Sequence, residues 1–161
     1  MKYFTMEEFT DSDKAKKYNI ENKPNLIYKS NIIQFVNELL DPLREAWGIY
    51  CEKNKLGKAG LKVTSGFRCH DLNKKIGGSS TSAHCYGWAV DLVPINGKFK
   101  EFKQFCIKWL KDKQFDQFIS EEEINGVPQW IHIGYKSMRH GQRRQFLYNT
   151  DIEPNIYKLL K

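Results

Sequence analysis

The stretch "SSTSAHCYGWAVDLVP", Ser79 to Pro94, sets His84, a Gly87 turn and Asp91 into an otherwise apolar run. Asp91 stands between Val90 and Leu92, where an unpaired carboxylate is strongly unfavourable to bury. It therefore requires a partner. Alternation along a strand puts Trp88, Val90 and Leu92 on one face and Ala89, Asp91 and Val93 on the other. The same reading of "QWIHIGY", Gln129 to Tyr135, sends Ile131 and Ile133 toward a core and Trp130, His132 and Gly134 to the opposite face. Asp91 and His132 are thus expected together on the open face of one sheet. His84 precedes Asp91 by seven residues across the Tyr86–Gly87 turn, a spacing that lets its imidazole come back beside the carboxylate. Two histidines and one aspartate with an open position form a mixed N/O set suited to catalytic zinc, which takes three protein ligands.

The chain alternates helices and strands. Thr5 and Ser12 are expected N-caps of short helical turns, and "ENKPN" interrupts the pattern before "SNIIQFVNELLDPLREAWGIYCEKN". There Ile32, Phe35, Val36, Leu39, Leu43, Trp47 and Cys51 recur at helical spacing, predicting the main amphipathic helix with a bend at Pro42. "LKVTS" reads as a strand, "HDLNKKIGG" as a short helix stopped by Gly77 and Gly78, and "GKFKEFKQFCIKWLKDK" as a second amphipathic helix. "FDQFIS" and "QWIHIGY" read as an antiparallel pair joined by the turn-rich "EEEINGVP". The expected fold is α+β, a small and mainly antiparallel sheet with helices packed on one face.

A chain of 161 residues with 40% hydrophobic content suits one well-buried core, so residues 1–161 are expected to form a single domain. The net charge of +7 favours weak attraction to any polyanion, but the lysines are scattered and do not gather on one helix with aromatics interleaved. No nucleic-acid partner is expected. "MKYFTMEEFT" carries acids and no apolar core, so neither a secretion signal nor a membrane anchor is expected, and synthesis is placed in the cytoplasm. Cys51, Cys69, Cys85 and Cys106 are too sparse for a disulfide scaffold. Cys51 and Cys106, on apolar helix stripes, are expected to be buried and inert, and Cys85, beside His84, to be the oxidant-sensitive thiol if exposed. A structural zinc site built from Cys69, His70, His84 and Cys85 lacks the usual ligand spacing and leaves Asp91 without a partner.

The segments "SGFR", "LN", "IGGSSTSAH", "GWAVDL", "FDQFI" and "WIHIG", in this order, resemble the zinc D-alanyl-D-alanine carboxypeptidases. The resemblance is to their small phage- and bacteroidete-type branch, with VanX dipeptidases and the hedgehog fold as distant relatives, and it runs from Thr5 to Asn149. It implies one zinc ion held by His84, Asp91 and His132. It also assigns Ser82, two places before the first ligand, and Arg68 of "SGFR" to the substrate side of the site. A planar guanidinium at Arg68 suits a substrate carboxylate or an oxyanion.

Hydrolysis needs a further carboxylate to carry a proton from water to the leaving amine. Many relatives place an acid three residues before the last ligand, where this chain has Gln129, which cannot shuttle a proton. Glu121, Glu122 and Glu123 are the candidates in reach; the resemblance to the small phage-type branch, which often carries an acid at the place of Glu121 after "FDQ", implies Glu121 as the base, with Glu122 second. The implied activity is hydrolysis of peptidoglycan stem peptides near D-alanine, as a carboxypeptidase or endopeptidase, in a monomer that reaches the wall as a phage endolysin or virion component. The alternatives are a cytoplasmic VanX-like dipeptidase and a non-catalytic zinc-stabilised peptidoglycan-binding module, which Gln129 keeps open.

Overall fold

A computed structural model of the chain describes residues 1–160. In chain order the elements are α1 (Met6–Thr10), α2 (Asp13–Lys17), α3 (Leu26–Phe35), a π-helical turn (Val36–Leu40), α4 (Asp41–Lys53), β1 (Leu61–Ser65), α5 (His70–Lys75), a 3₁₀ turn (Ala83–Tyr86), β2 (Ala89–Pro94), α6 (Phe99–Trp109), a second 3₁₀ turn (Leu110–Asp112), β3 (Gln117–Glu123), β4 (Trp130–Gly134), β5 (Gln145–Thr150) and β6 (Lys158–Leu159). Thr5 and Glu8 form a reciprocal capping box and Ser12 caps α2, each satisfying helix-end N–H groups that otherwise lack partners.

The long amphipathic helix begins earlier than its apolar spacing suggests, at Leu26, because the Asn25 side chain accepts the Tyr28 N–H and caps it there. Its bend precedes Pro42. Pro42 cannot donate to the Glu38 carbonyl and its ring crowds that oxygen. The chain relieves this with the wider turn at Val36–Leu40, where the Asp41 N–H reaches back to the Val36 carbonyl. The turn lets Phe35, Val36, Leu39, Leu40, Leu43 and Trp47 all stay buried on one side.

The six strands run in the order β1-β2-β4-β3-β5-β6. All neighbours are antiparallel except β3 and β5, which are parallel. The sheet is therefore mainly antiparallel and the fold is α+β. The strands β5 and β6 have no counterpart in the sequence reading, and β5 widens the sheet beyond the β3–β4 hairpin. Val90 and Leu92 of β2, Ile131 and Ile133 of β4 and Phe118 of β3 are buried in one core cluster with α3, α4 and α6. That face is sealed by the long helices, while α5 and the α1–α2 junction border a cleft on the opposite face.

Candidate metal centre and catalytic cleft

Register places the ligands. Asp91 is paired directly with His132 across β2 and β4, and His132 in turn with Ile119 of β3. Directly paired residues share a face, so Asp91, His132 and Ile119 stand in one row, opposite the core. His84 arrives from the 3₁₀ turn, which ends at Gly87 with φ 74°. A Cβ at Gly87 would lie 2.7 Å from the Tyr28 carbonyl oxygen and 2.8 Å from Ile32 Cγ1. Only glycine combines that left-handed turn with so close a seat on α3. The turn returns His84 over the sheet as its spacing from Asp91 suggests.

Three ligand atoms converge. His132 Nδ1 is 2.9 Å and His84 Nε2 3.5 Å from Asp91 Oδ1, and the two ring nitrogens are 3.3 Å apart. Ligands about 2.0–2.1 Å from a tetrahedral ion lie roughly 3.3–3.4 Å from one another, so the three atoms fit around one such ion. His84 Nδ1 donates to the Gly66 carbonyl at 2.7 Å. A carbonyl only accepts, so this bond puts the proton on Nδ1 and leaves the Nε2 lone pair aimed at the cluster. Gly66 itself has no room for a side chain, since a Cβ would meet the Phe9 backbone at 2.5 Å.

The electrostatics agree with a ligand set. Burial pushes the His84 imidazole below its usual value, against the pull of Asp91, and keeps it neutral. Burial acts on Asp91 in the other direction, but the two histidines together outweigh it and hold the carboxyl well below the usual carboxylate range. An ionised carboxylate and neutral imidazoles are the forms that bind a metal. Among the described residues, His84, Asp91 and His132 form the one group of three His, Cys, Asp or Glu side chains close enough to hold an ion. The Cys69, His70, His84 and Cys85 quartet is not brought together.

Around the cluster opens a cleft of about 1520 Å³ that Arg68, Ser82, Glu121, Glu122, Trp130 and Tyr157 help to line. Arg68 follows Phe67, whose N–H bonds to the Phe9 carbonyl, and its own N–H donates to the His84 carbonyl. Its side chain is 17% exposed, with Nη2 4.0 Å from Asp91 Oδ2 and a buried Nε that has no partner among the described residues. It is not a surface ion pair. Ser82 starts the 3₁₀ turn, its backbone carbonyl accepting from the Cys85 N–H.

The three glutamates part company at a bulge. Glu121 is paired with Trp130, two positions along from the Ile119–His132 pair and hence on the same face. The β3–β5 register slips between Ser120 and Glu123, and Glu122 takes φ 48°. Simple alternation would turn Glu122 to the helix face. The bulge instead leaves it in the cleft wall, and Glu123 is the one that turns inward to pair with Lys103 of α6. Opposite faces therefore do not distinguish Glu121 from Glu122; burial does. Glu121 is 8% exposed, accepts a hydrogen bond from Asn149 Nδ2 at 2.7 Å, and burial pushes its carboxyl above the usual range. Gln129 lies exposed on the hairpin, its backbone N–H bound to the Glu121 carbonyl.

A profile of the family described as peptidase M15 matches residues 2–134. The chain belongs to the peptidase M15 family. No curated protein matches the chain. The M15 match spans every residue of the cluster, the Arg68 segment and Glu121, and stops before β5. The resemblance seen in "SGFR", "SAH" and "WIHIG" is thereby borne out at the level of the family, and peptidase chemistry is the activity the family carries.

Two thiol expectations part ways. Cys51 and Cys106 are buried as their helix stripes require. Cys85 is buried as well, at 0% exposure, and burial pushes its thiol above the usual value, so it is not the oxidant-sensitive cysteine. The reason is the 3₁₀ turn, which points neighbouring side chains in different directions and sends Cys85 inward. Cys69, half-buried at the start of α5, is the most accessible of the four. Sequence reasoning also missed Asn149, on the unforeseen β5 and bonded to Glu121, and Tyr157, which lines the cleft just before β6.

Proposed function

We propose that this M15 chain is a zinc peptidase that cleaves peptidoglycan stem peptides near D-alanine, of the small phage- and bacteroidete-type branch. The observation that carries the reading is the convergence of His84 Nε2, Asp91 Oδ1 and His132 Nδ1 in a cleft shared with a buried, partly protonatable Glu121 and an underused Arg68. His84, Asp91 and His132 would hold the ion. A bound zinc supplies Lewis acidity, polarising the scissile carbonyl and easing loss of a proton from water near neutral pH. The remaining steps belong to the chain. Glu121, with its carboxyl raised by burial, takes the proton of the attacking water and returns it to the leaving amine, a task that works best when the acid's pKa approaches the working pH. Arg68 offers a planar fork to the carboxylate of the substrate, and Ser82 stands on the same wall.

The net charge of +7 supports attraction to an anionic wall, and with it the lysin reading, in which a monomer synthesised in the cytoplasm acts outside it. The experiment is mass spectrometry of purified muropeptides after incubation with zinc-loaded wild type and Glu121→Gln. Wild type should release D-alanine or a cut stem peptide. Glu121→Gln should keep its zinc and fold yet lose ~10²-fold or more in kcat. Wild-type protein that binds muropeptides and cuts none would instead identify a binding module. A fully active Glu121→Gln beside an inactive Glu122→Gln would move the base by one residue.

A further inference from the structure

We infer that Asn149, on β5 beyond the M15 match, is a positioning residue that fixes one oxygen of Glu121 and so presents the other to the cleft. The inference rests on the reading of Glu121 as the proton carrier. Asn149 is 1% exposed and uses each of its polar atoms. Nδ2 donates to Glu121 Oε2 at 2.7 Å and to the Pro154 carbonyl at 2.6 Å, while Oδ1 accepts the Glu122 N–H at 2.6 Å. This pattern fixes the amide's orientation. Turned over, the amide oxygen would face a carboxylate and a carbonyl, and the NH₂ would face an N–H.

One side chain therefore does two things to β3. Through Oδ1 it ties down the left-handed residue Glu122 at the bulge, and through Nδ2 it holds the Glu121 carboxylate, which regular strand pairing places on the cleft face. A carboxylate held by one oxygen keeps its free oxygen in a set direction, which is what proton transfer over hydrogen-bond distance requires. The strand that brings Asn149 lies parallel to β3, with Ser120 paired to Tyr148. A residue from the C-terminal part of the chain thus completes a site whose other members precede residue 135.

Asn149→Ala in the zinc-loaded full chain should lower kcat about 10-fold, a barrier change of ~1.4 kcal/mol, with KM and zinc content unchanged. The decisive comparison is the double variant. Placed on Glu121→Gln, the same substitution should cost less than about 2-fold further, because the group it positions no longer carries a proton. An equal loss in both backgrounds would make Asn149 merely structural, and wild-type kcat in Asn149→Ala would overturn the inference outright. Should the alanine variant fail to fold, Asn149→Asp keeps the acceptor for the Glu122 N–H and replaces the amide donor by a second carboxyl, with which Glu121 must share a proton. It should fold and lose at least as much kcat, and wild-type turnover there would refute the role. Failure of the underlying reading is distinct: it would be seen as full activity in Glu121→Gln itself.

Discussion

Replacing Arg68 with lysine tests the substrate side of the cleft by separating charge from shape. The guanidinium is largely buried, its Nη2 stands 4.0 Å from Asp91 Oδ2, and its Nε has no partner among the described residues. At 4.0 Å the Asp91 contact is attraction without a hydrogen bond. Leaving a buried donor unmade costs ~1–3 kcal/mol, a penalty that an incoming carboxylate or oxyanion would relieve. Lysine keeps the positive charge and removes both the orphan donor and the two-pronged fork. The loss of one charge-assisted hydrogen bond, worth ~1.5–3 kcal/mol, corresponds to a fall in kcat/KM on the order of 10- to 100-fold. The free protein should be as stable as wild type or slightly more so, because an unmade bond has been deleted. Steady-state kinetics on muropeptides, metal analysis and thermal melts of the same preparation measure all three quantities. Unchanged kinetics would remove Arg68 from the substrate site. A loss of activity that tracks a loss of zinc or of Tm would show that Arg68 serves Asp91 and the fold instead.

Metal analysis should find about one equivalent of zinc in wild type and its loss in a His84→Ala, His132→Ala double variant; full retention would overturn the ligand set. Thiol titration of the native protein should give one fast group, Cys69, and three slow ones, with a fast Cys85 contradicting its burial. Zinc-free protein should lose Tm as the pH falls below about 6.5, because burial holds the folded His84 imidazole below that ordinary value. Through this window the unfolded chain binds the extra proton, so acid favours unfolding. Glu121, whose carboxyl is raised, acts in the opposite sense, so His84→Gln isolates the imidazole and should flatten the slope; an unaltered slope would refute the assignment.

The ligand face was legible because period-two alternation is a local property: "GWAVDLVP" and "WIHIG" each declare which residues oppose the core, and the structure pairs Asp91 with His132 directly. Pro42 declared the bend, though not its form, since a π-turn depends on how the flanking helices share one core. The position of Glu121 was legible, but not the reason for preferring it over Glu122. That reason is a bulge and an asparagine 28 residues away, and neither leaves a local mark. Nor does β5: "QFLYNT" is short and only half-buried, and a parallel partner cannot be read from hairpin spacing. Cys85 was expected to react only if exposed, and its exposure was not legible because adjacency to a ligand in sequence says nothing about direction on a 3₁₀ turn, which here buries it.

Two of the three ligands sit on interior strands of a six-stranded sheet, held by backbone ladders on both sides. Much of the cleft rim, by contrast, comes from the α1–α2 junction, the Gly77–Ser82 loop, the segment around Arg139 and the tail around Tyr157. The two strands that carry Asp91 and His132 are thus distinct from the segments that form that rim, whereas His84 follows directly on one of them. A designer can rewrite those four segments to admit a different peptide while the spacing of Asp91 and His132 stays pinned by main-chain hydrogen bonds. The α1–α2 junction and the segment around Arg139 can be exchanged one at a time with those two ligands left in place, whereas the tail also carries the Pro154 carbonyl that holds Asn149, and the Gly77–Ser82 loop runs directly into His84.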